Sequence, residues 1–261
     1  MKKALSYLLI FIGLQIVGGG IITALWNLIS GSGDKTAAML VTTTGVVGLV
    51  TIVIFLWTRY AEVSPTWLRT RPWTVLTWSV IAALGAIIPS AWIQEQMPEL
   101  PNFAEQEFDT IMGTPWGYFV IGLLAPFSEE LVMRGAILKE LLRSERLTTW
   151  AAITISALMF ALIHMNPAQM PHAFLIGLLL GWMYYRTGSI LPGIAYHWAN
   201  NSVAYVLYAL YPDPDAKLID IFKGSQLHVY MAIGFSLLIF LPALYQLHLW
   251  MRRASSPSNV C

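Results

Sequence analysis

Residues 115–138 read "PWGYFVIGLLAPFSEELVMRGAIL". As a helix rising about 1.5 Å per residue, this run is long enough to cross a hydrocarbon layer of about 30 Å. Its middle nevertheless holds Glu129, Glu130 and Arg134. Apolar length sets the fold class, and the buried charge raises the question of function.

Similar apolar runs lie on both sides. Together they occupy 4–29, 37–58, 74–93, 115–138, 149–166, 172–187, 190–211 and 229–251. Of the 261 residues, 57% are hydrophobic and only 11% are charged, against about 25% charged in a soluble domain. The pattern predicts an all-α, polytopic integral membrane protein with about eight transmembrane helices. No long polar stretch is present to build a water-soluble domain.

Loop charges give an orientation. Lys2, Lys3, Arg59, Arg69, Arg71, Lys139, Arg143, Arg146, Arg186, Arg252 and Arg253 fall on one side, and Lys35, Lys217 and Lys223 on the other. The positive-inside rule then puts both termini in the cytoplasm, and the plasma membrane is the expected location. The acids Asp34, Glu95, Glu99, Glu105, Glu107, Asp109, Asp213, Asp215 and Asp220 lean outward. Net charge is +1, and the basic residues are spread over several loops with no compact basic domain, so nucleic-acid binding has no support and none is expected. Lipid and a membrane-associated protein or peptide are the expected partners.

Lys2 and Lys3 before an apolar run resemble a signal peptide, but the run is too long and lacks a cleavage site, so a retained first helix is expected. The single cysteine, Cys261, provides neither a disulfide nor a cysteine metal site. Sequence character divides the chain into helices and an acidic outward loop at 1–114, a polar-bearing helical core at 115–211, and a last helix with its tail at 212–261. Within the loop, a short amphipathic surface helix is expected from Phe103 to Met112. Gly177 and Gly181 suit tight helix packing. The turn-formers in "TGSILPG" at 187–193 predict a tight, partly buried connection. His172, His228 and His248 fall at predicted helix ends, and Trp57, Trp73, Trp116 and Trp250 read as interfacial anchors.

Polar residues at membrane depth concentrate in three clusters: Glu129-Glu130-x-x-x-Arg134, Phe160-x-x-x-His164 followed by Asn166, and His197-x-x-x-Asn201 with Asn200 beside it. A lone intramembrane His or Asn is often only a helix–helix hydrogen bond of about 0.6–2 kcal/mol. Two glutamates and an arginine within one turn are harder to dismiss, because each buried ionisable group costs on the order of 3 kcal/mol. Glu130 and Arg134 share a helix face and can pair. Glu129 is turned about 100° away and can point elsewhere.

Hairpin geometry joins the first two clusters. The turn near 146–147 is 17 or 18 residues from both Glu129 and His164, so an antiparallel hairpin sets them at one depth. His197 should lie roughly 10 Å nearer the cytoplasm, unless the 187–193 loop is sunk in the membrane. A glutamate beside histidines is equipment for activating water as a general base, with His197 and Asn201 able to donate to an oxyanion. Glu129, His164 and His197 could alternatively hold zinc with an open position for water, although no His-Glu-x-x-His motif is present.

"EELVMR", "FALIH" and "HWANN", in this order on successive helices, resemble the three signature motifs of the CAAX-protease and bacteriocin-processing (CPBP) family. That family is also called Abi or the type II CAAX prenyl endopeptidase superfamily. The intervening "FLIGLLLGWMYYRTGSILPGIAYH" is similar as well, and the resemblance covers about 115–205. It implies an all-helical intramembrane endopeptidase, a peptide-bond hydrolase. Glu129 matches the catalytic glutamate, His164 its water-activating partner, and His197 and Asn201 the oxyanion-binding pair. Glu130 and Arg134 match the supporting acid and arginine, with Phe160 in support. The family has been described both as metal-dependent and as metal-independent. The metal-independent form is favoured here, because two histidines and one usable carboxylate make a thin zinc site. Two rival readings are a proton-coupled transporter, disfavoured by the lack of an inverted repeat, and a non-catalytic immunity or scaffold member of the same family.

Overall fold

The computed structural model describes residues 1–64, 72–211 and 216–254, with backbone alone for 252–254. Arg69, Arg71, Asp213, Asp215, Cys261 and the side chains of Arg252 and Arg253 therefore lie outside the described residues. Among the described residues the fold is entirely helical. In chain order the helices are α1 (Lys2–Ser30), α2 (Ala37–Trp57), α3 (Trp73–Glu95), α4 (Glu105–Met112), α5 (115–142), α6 (Thr149–Ile163), α7 (Met170–Thr187), α8 (Leu191–Leu210), α9 (Leu218–Ile221) and α10 (Gln226–Ala254).

Four of these are long and apolar enough to cross a membrane: α1, α2, α3 and α10 up to Met251. Two features set the other long helices apart. Helix α6 has 15 residues, and α5, α7 and α8 carry the polar and charged groups that lower their hydropathy. Their outer faces are apolar all the same. Leu123, Leu158, Leu162, Leu175 and Val206 are exposed, as expected of surfaces that meet lipid rather than water.

The chain packs as two compact units, 1–63 with 101–181, and 64–100 with 182–261. The first contains α1, α2, α4, α5, α6 and most of α7. Its helix starts follow local rules. Thr36 Oγ1 accepts from Met39 N–H at 3.2 Å, Thr114 Oγ1 from Gly117 N–H at 3.1 Å, and Thr148 Oγ1 from Ala151 N–H at 3.2 Å. Each threonine satisfies one of the orphan amides at a helix N-terminus. Pro115 occupies the first helical position, where its missing N–H costs nothing. Helix α4 is tied down by Lys35, whose Nζ lies 2.6 Å from Glu107 Oε1. That hydrogen bond holds the Glu107 carboxyl below its ordinary range.

Two helices of the first unit depart from regular α geometry. Leu14–Gly18 in α1, and Tyr118–Leu124 and Leu131–Leu138 in α5, are π-helical. Such turns recur at functional sites. Those of α5 bracket the segment Ala125–Glu130 that carries the adjacent glutamates.

The second unit is built on α3, which packs against α8 and α10. Gly85 permits this: a Cβ there would sit 2.7 Å from the backbone nitrogen of Phe240. Glu95 Oε1 accepts from Leu218 N–H at 2.6 Å and caps α9. The α7–α8 connection is tight and partly buried. Gly188 takes a positive φ of 65°, Ser189 and Ile190 are buried, and Ser189 Oγ accepts from Leu191 N–H at 3.2 Å to start α8.

Candidate active site

The first unit contains a compact polar network. Arg134 Nη1 donates to Glu130 Oε1 at 2.6 Å across one helical turn. Both side chains are sealed from solvent, at 1% and 0% exposure. Removing one partner of such a pair leaves a charge in low dielectric, which is why buried pairs persist as pairs. Arg134 Nη2 reaches the carbonyl of Gly177 on α7 at 3.3 Å. Its guanidinium carbon stands 4.4 Å from the centroid of the Phe160 ring on α6, a cation–π arrangement. One arginine thus touches three helices.

Glycine at 177 is required for this meeting. A Cβ there would lie 3.0 Å from both Cα and Cβ of Ala157. At Gly181 it would lie 2.9 Å from Ile153 Cγ2. The close helix approach expected at these two positions is therefore present, between α7 and α6.

Phe160 passes the network on to His164. Their rings meet edge to face with centroids 5.0 Å apart. His164 Nδ1 lies 2.8 Å from the Phe160 carbonyl oxygen. A carbonyl only accepts, so Nδ1 must carry the hydrogen, and in the neutral ring the lone pair sits on Nε2. The carbonyl is available because α6 ends here. His164 N–H turns instead to Ala161 O at 3.3 Å, and Met165 adopts a positive φ of 48°. Pro167 follows shortly and cannot continue the helix.

Asn166 has a different job. It is buried; its Oδ1 accepts from Phe103 N–H at 3.1 Å and its Nδ2 donates to Asn102 Oδ1 at 2.8 Å. It fastens the segment before α4 to the end of α6.

Glu129 and His164 line one cavity of about 160 Å³. Glu130 and Arg134 stand behind this cavity rather than among its lining residues. Ser128 also lines it, with its hydroxyl donated to the Ala125 carbonyl at 3.1 Å. The far wall comes from the N-terminal helices and includes Phe11, Gln15, Thr44 and Gly48. Sequence reading missed these residues, since 1–93 reads as plain apolar helix. Gln15 is one of two carboxamides, with Asn27, in the first apolar run.

His197 and Asn201 belong to the second unit, on α8. His197 is buried, and Asn200 Nδ2 donates to Asn201 Oδ1 at 3.2 Å. Helix α8 bonds as a regular helix throughout, so the i, i+4 spacing places His197 and Asn201 on one face.

Among the described residues, no group of three or more His, Cys, Asp or Glu side chains is arranged to hold a metal ion. Glu129 and His164 belong to the first unit and His197 to the second.

Residues 111–203 match the family model described as "Type II CAAX prenyl endopeptidase Rce1-like". The matched segment begins at the end of α4 and runs through α5, α6, α7 and most of α8. No curated protein and no protein of solved structure matches the chain significantly.

Proposed function

We propose, from the premise that residues 111–203 are a domain of the type II CAAX prenyl endopeptidase Rce1-like family, that this membrane protein is an endopeptidase using Glu129 and His164 to activate water. The observation that carries the reading is the shared cavity. One carboxylate and one imidazole line it together, and the imidazole's orientation is fixed by a backbone hydrogen bond.

A water in the cavity donates one hydrogen to the Glu129 carboxylate and the other to His164 Nε2. Glu129 takes the proton as the water oxygen bonds to the scissile carbonyl carbon. The carbonyl oxygen becomes an oxyanion, and the proposed donors to it are His197 and Asn201, the pair whose positions match the family motif. Collapse of the tetrahedral intermediate breaks the C–N bond, and the proton held by Glu129 passes to the leaving amine. Every proton is accounted for by these groups, so the reaction as written needs no metal.

Glu130 and Arg134 act through position. Their ion pair holds α5 against Phe160, and Phe160 bears His164. The proposed substrate is a membrane-associated or lipidated protein or peptide. A carboxyl-terminal prenylated peptide is the first probe, because that substrate class is named in the family description. The charge asymmetry of the loops supports an orientation with both termini cytoplasmic, and the proposed location is the plasma membrane.

The test uses purified protein in lipid vesicles and an internally quenched farnesylated peptide carrying a CAAX-type terminus. Cleavage is expected, unaffected by a chelator. Glu129→Ala should lower kcat by about 10²–10⁴-fold, the range for a general base, while expression and thermal stability stay near wild type. Undiminished cleavage by Glu129→Ala would sink the mechanism. Chelator-sensitive cleavage restored by zinc would replace it with a metal-dependent one.

A further inference from the structure

We infer that Gln15, on the first helix and outside the family-matched segment, binds the substrate's peptide backbone in the Glu129–His164 cavity; this rests on the proposed peptidase reading. Three observations converge on it. First, Gln15 lines the same cavity as Glu129 and His164. Phe11, one helical turn earlier on the same face, lines it too, so this face of α1 is turned toward the site. Second, among the described residues no protein group hydrogen-bonds the Gln15 carboxamide. Third, Gln15 sits in the π-helical turn Leu14–Gly18, a local geometry that recurs at functional sites.

The chemistry supplies the ligand. A peptide bond drawn into a cavity at membrane depth brings an N–H and a C=O that have left their solvent partners. Leaving them unsatisfied costs several kcal/mol per group. Glu129 and His164 are committed to water. Ser128 is donated to its own helix. Gln15 is the sole carboxamide lining the cavity, and a carboxamide offers a donor and an acceptor together, matching one peptide unit. At about 160 Å³ the cavity has room for about one benzene-sized group, so the segment that enters is small: a peptide unit with one adjoining side chain. The N-terminal helices thereby supply a substrate contact that the family-matched segment lacks.

The experiment measures Gln15→Leu and Gln15→Asn on the quenched farnesylated peptide. It also measures binding of the same peptide, fluorophore-labelled, to Glu129→Gln protein with and without Gln15→Leu. Gln15→Leu removes both hydrogen bonds at similar volume and places an apolar residue in a membrane helix, so folding should be preserved, as a thermal melt will show. The expected result is a KM about tenfold higher with kcat within about twofold, the signature of binding energy shared by ground and transition states. Peptide affinity on the Glu129→Gln background should fall by the same factor, and Gln15→Asn should recover part of it.

Unchanged KM and unchanged affinity in Gln15→Leu overturn the inference while leaving the peptidase reading intact. Binding that depends on Gln15, without cleavage by the wild-type protein, does the reverse. A peptide that the wild-type protein neither binds nor cleaves overturns both.

Discussion

Consider replacing Arg134 by methionine, which keeps much of the aliphatic stem and removes the charge. The structure sets the size of the effect. The Arg134–Glu130 contact is 2.6 Å between side chains that are 1% and 0% exposed. Breaking such a pair from one side costs about 3–5 kcal/mol, because the surviving carboxylate keeps its desolvation penalty without the cation. Loss of the hydrogen bond to the Gly177 carbonyl and of the contact with the Phe160 ring works in the same direction. At about 2–4 °C per kcal/mol for a chain of this size, a loss near 4 kcal/mol lowers Tm by roughly 8–16 °C. Glu130→Leu alone should cost a similar amount, since it strands the guanidinium. The double variant Arg134→Met/Glu130→Leu should recover about 1–3 kcal/mol of the summed losses, the coupling expected of residues in direct contact. The assay is thermal unfolding of all four proteins in one detergent. Strict additivity, with the double variant losing the sum of the singles to within about 0.5 kcal/mol, would refute the claim that the pair acts as a unit.

Two further outcomes follow from the geometry. Gly177→Ala places a methyl 3.0 Å from Ala157 Cα and Cβ; overpacking of this kind costs about 1–3 kcal/mol, and activity should fall with it as α7 is pushed off Arg134, read by Tm and peptide cleavage together. The Lys35–Glu107 bond lowers the Glu107 carboxyl from its ordinary 4.5, so its stabilisation is fully present above that value and disappears as pH falls through the lowered one. Because Lys35 is largely exposed and Glu107 about a third exposed, solvent screening should hold the effect to a few tenths of a kcal/mol, seen as a shrinking Tm difference between wild type and Glu107→Gln on acidification.

Helices set by apolar length were legible to within a few residues. The run at 37–58 became Ala37–Trp57, that at 74–93 became Trp73–Glu95, and the acidic loop yielded Glu105–Met112 where 103–112 was expected. The end of α6 was harder. An apolar window reaches 166, yet the helix stops at Ile163 with His164 as its cap, because Met165 turns left-handed and Pro167 blocks continuation. The π-helical segments left no trace in composition, since shifting the backbone bond from i+4 to i+5 changes no side chain. Charge pairing between Glu130 and Arg134 could be read from spacing alone. That Glu129 and His164 share a cavity agrees with their equal distances from the turn at 146–147. Gln15 could not be found this way. Two carboxamides, Gln15 and Asn27, lie in that apolar run, and neither says which side of the helix faces inward until the neighbouring helices are in place.

The bond between His164 Nδ1 and the Phe160 carbonyl has a lasting consequence. The acceptor that selects the ring's tautomer belongs to the main chain, so no single amino-acid replacement at 160 can delete it. Drift at that position can alter how the arginine is cushioned while the basic nitrogen stays aimed the same way. The ring's orientation is thereby insulated from mutation in a manner that a carboxylate or carboxamide side chain could not provide.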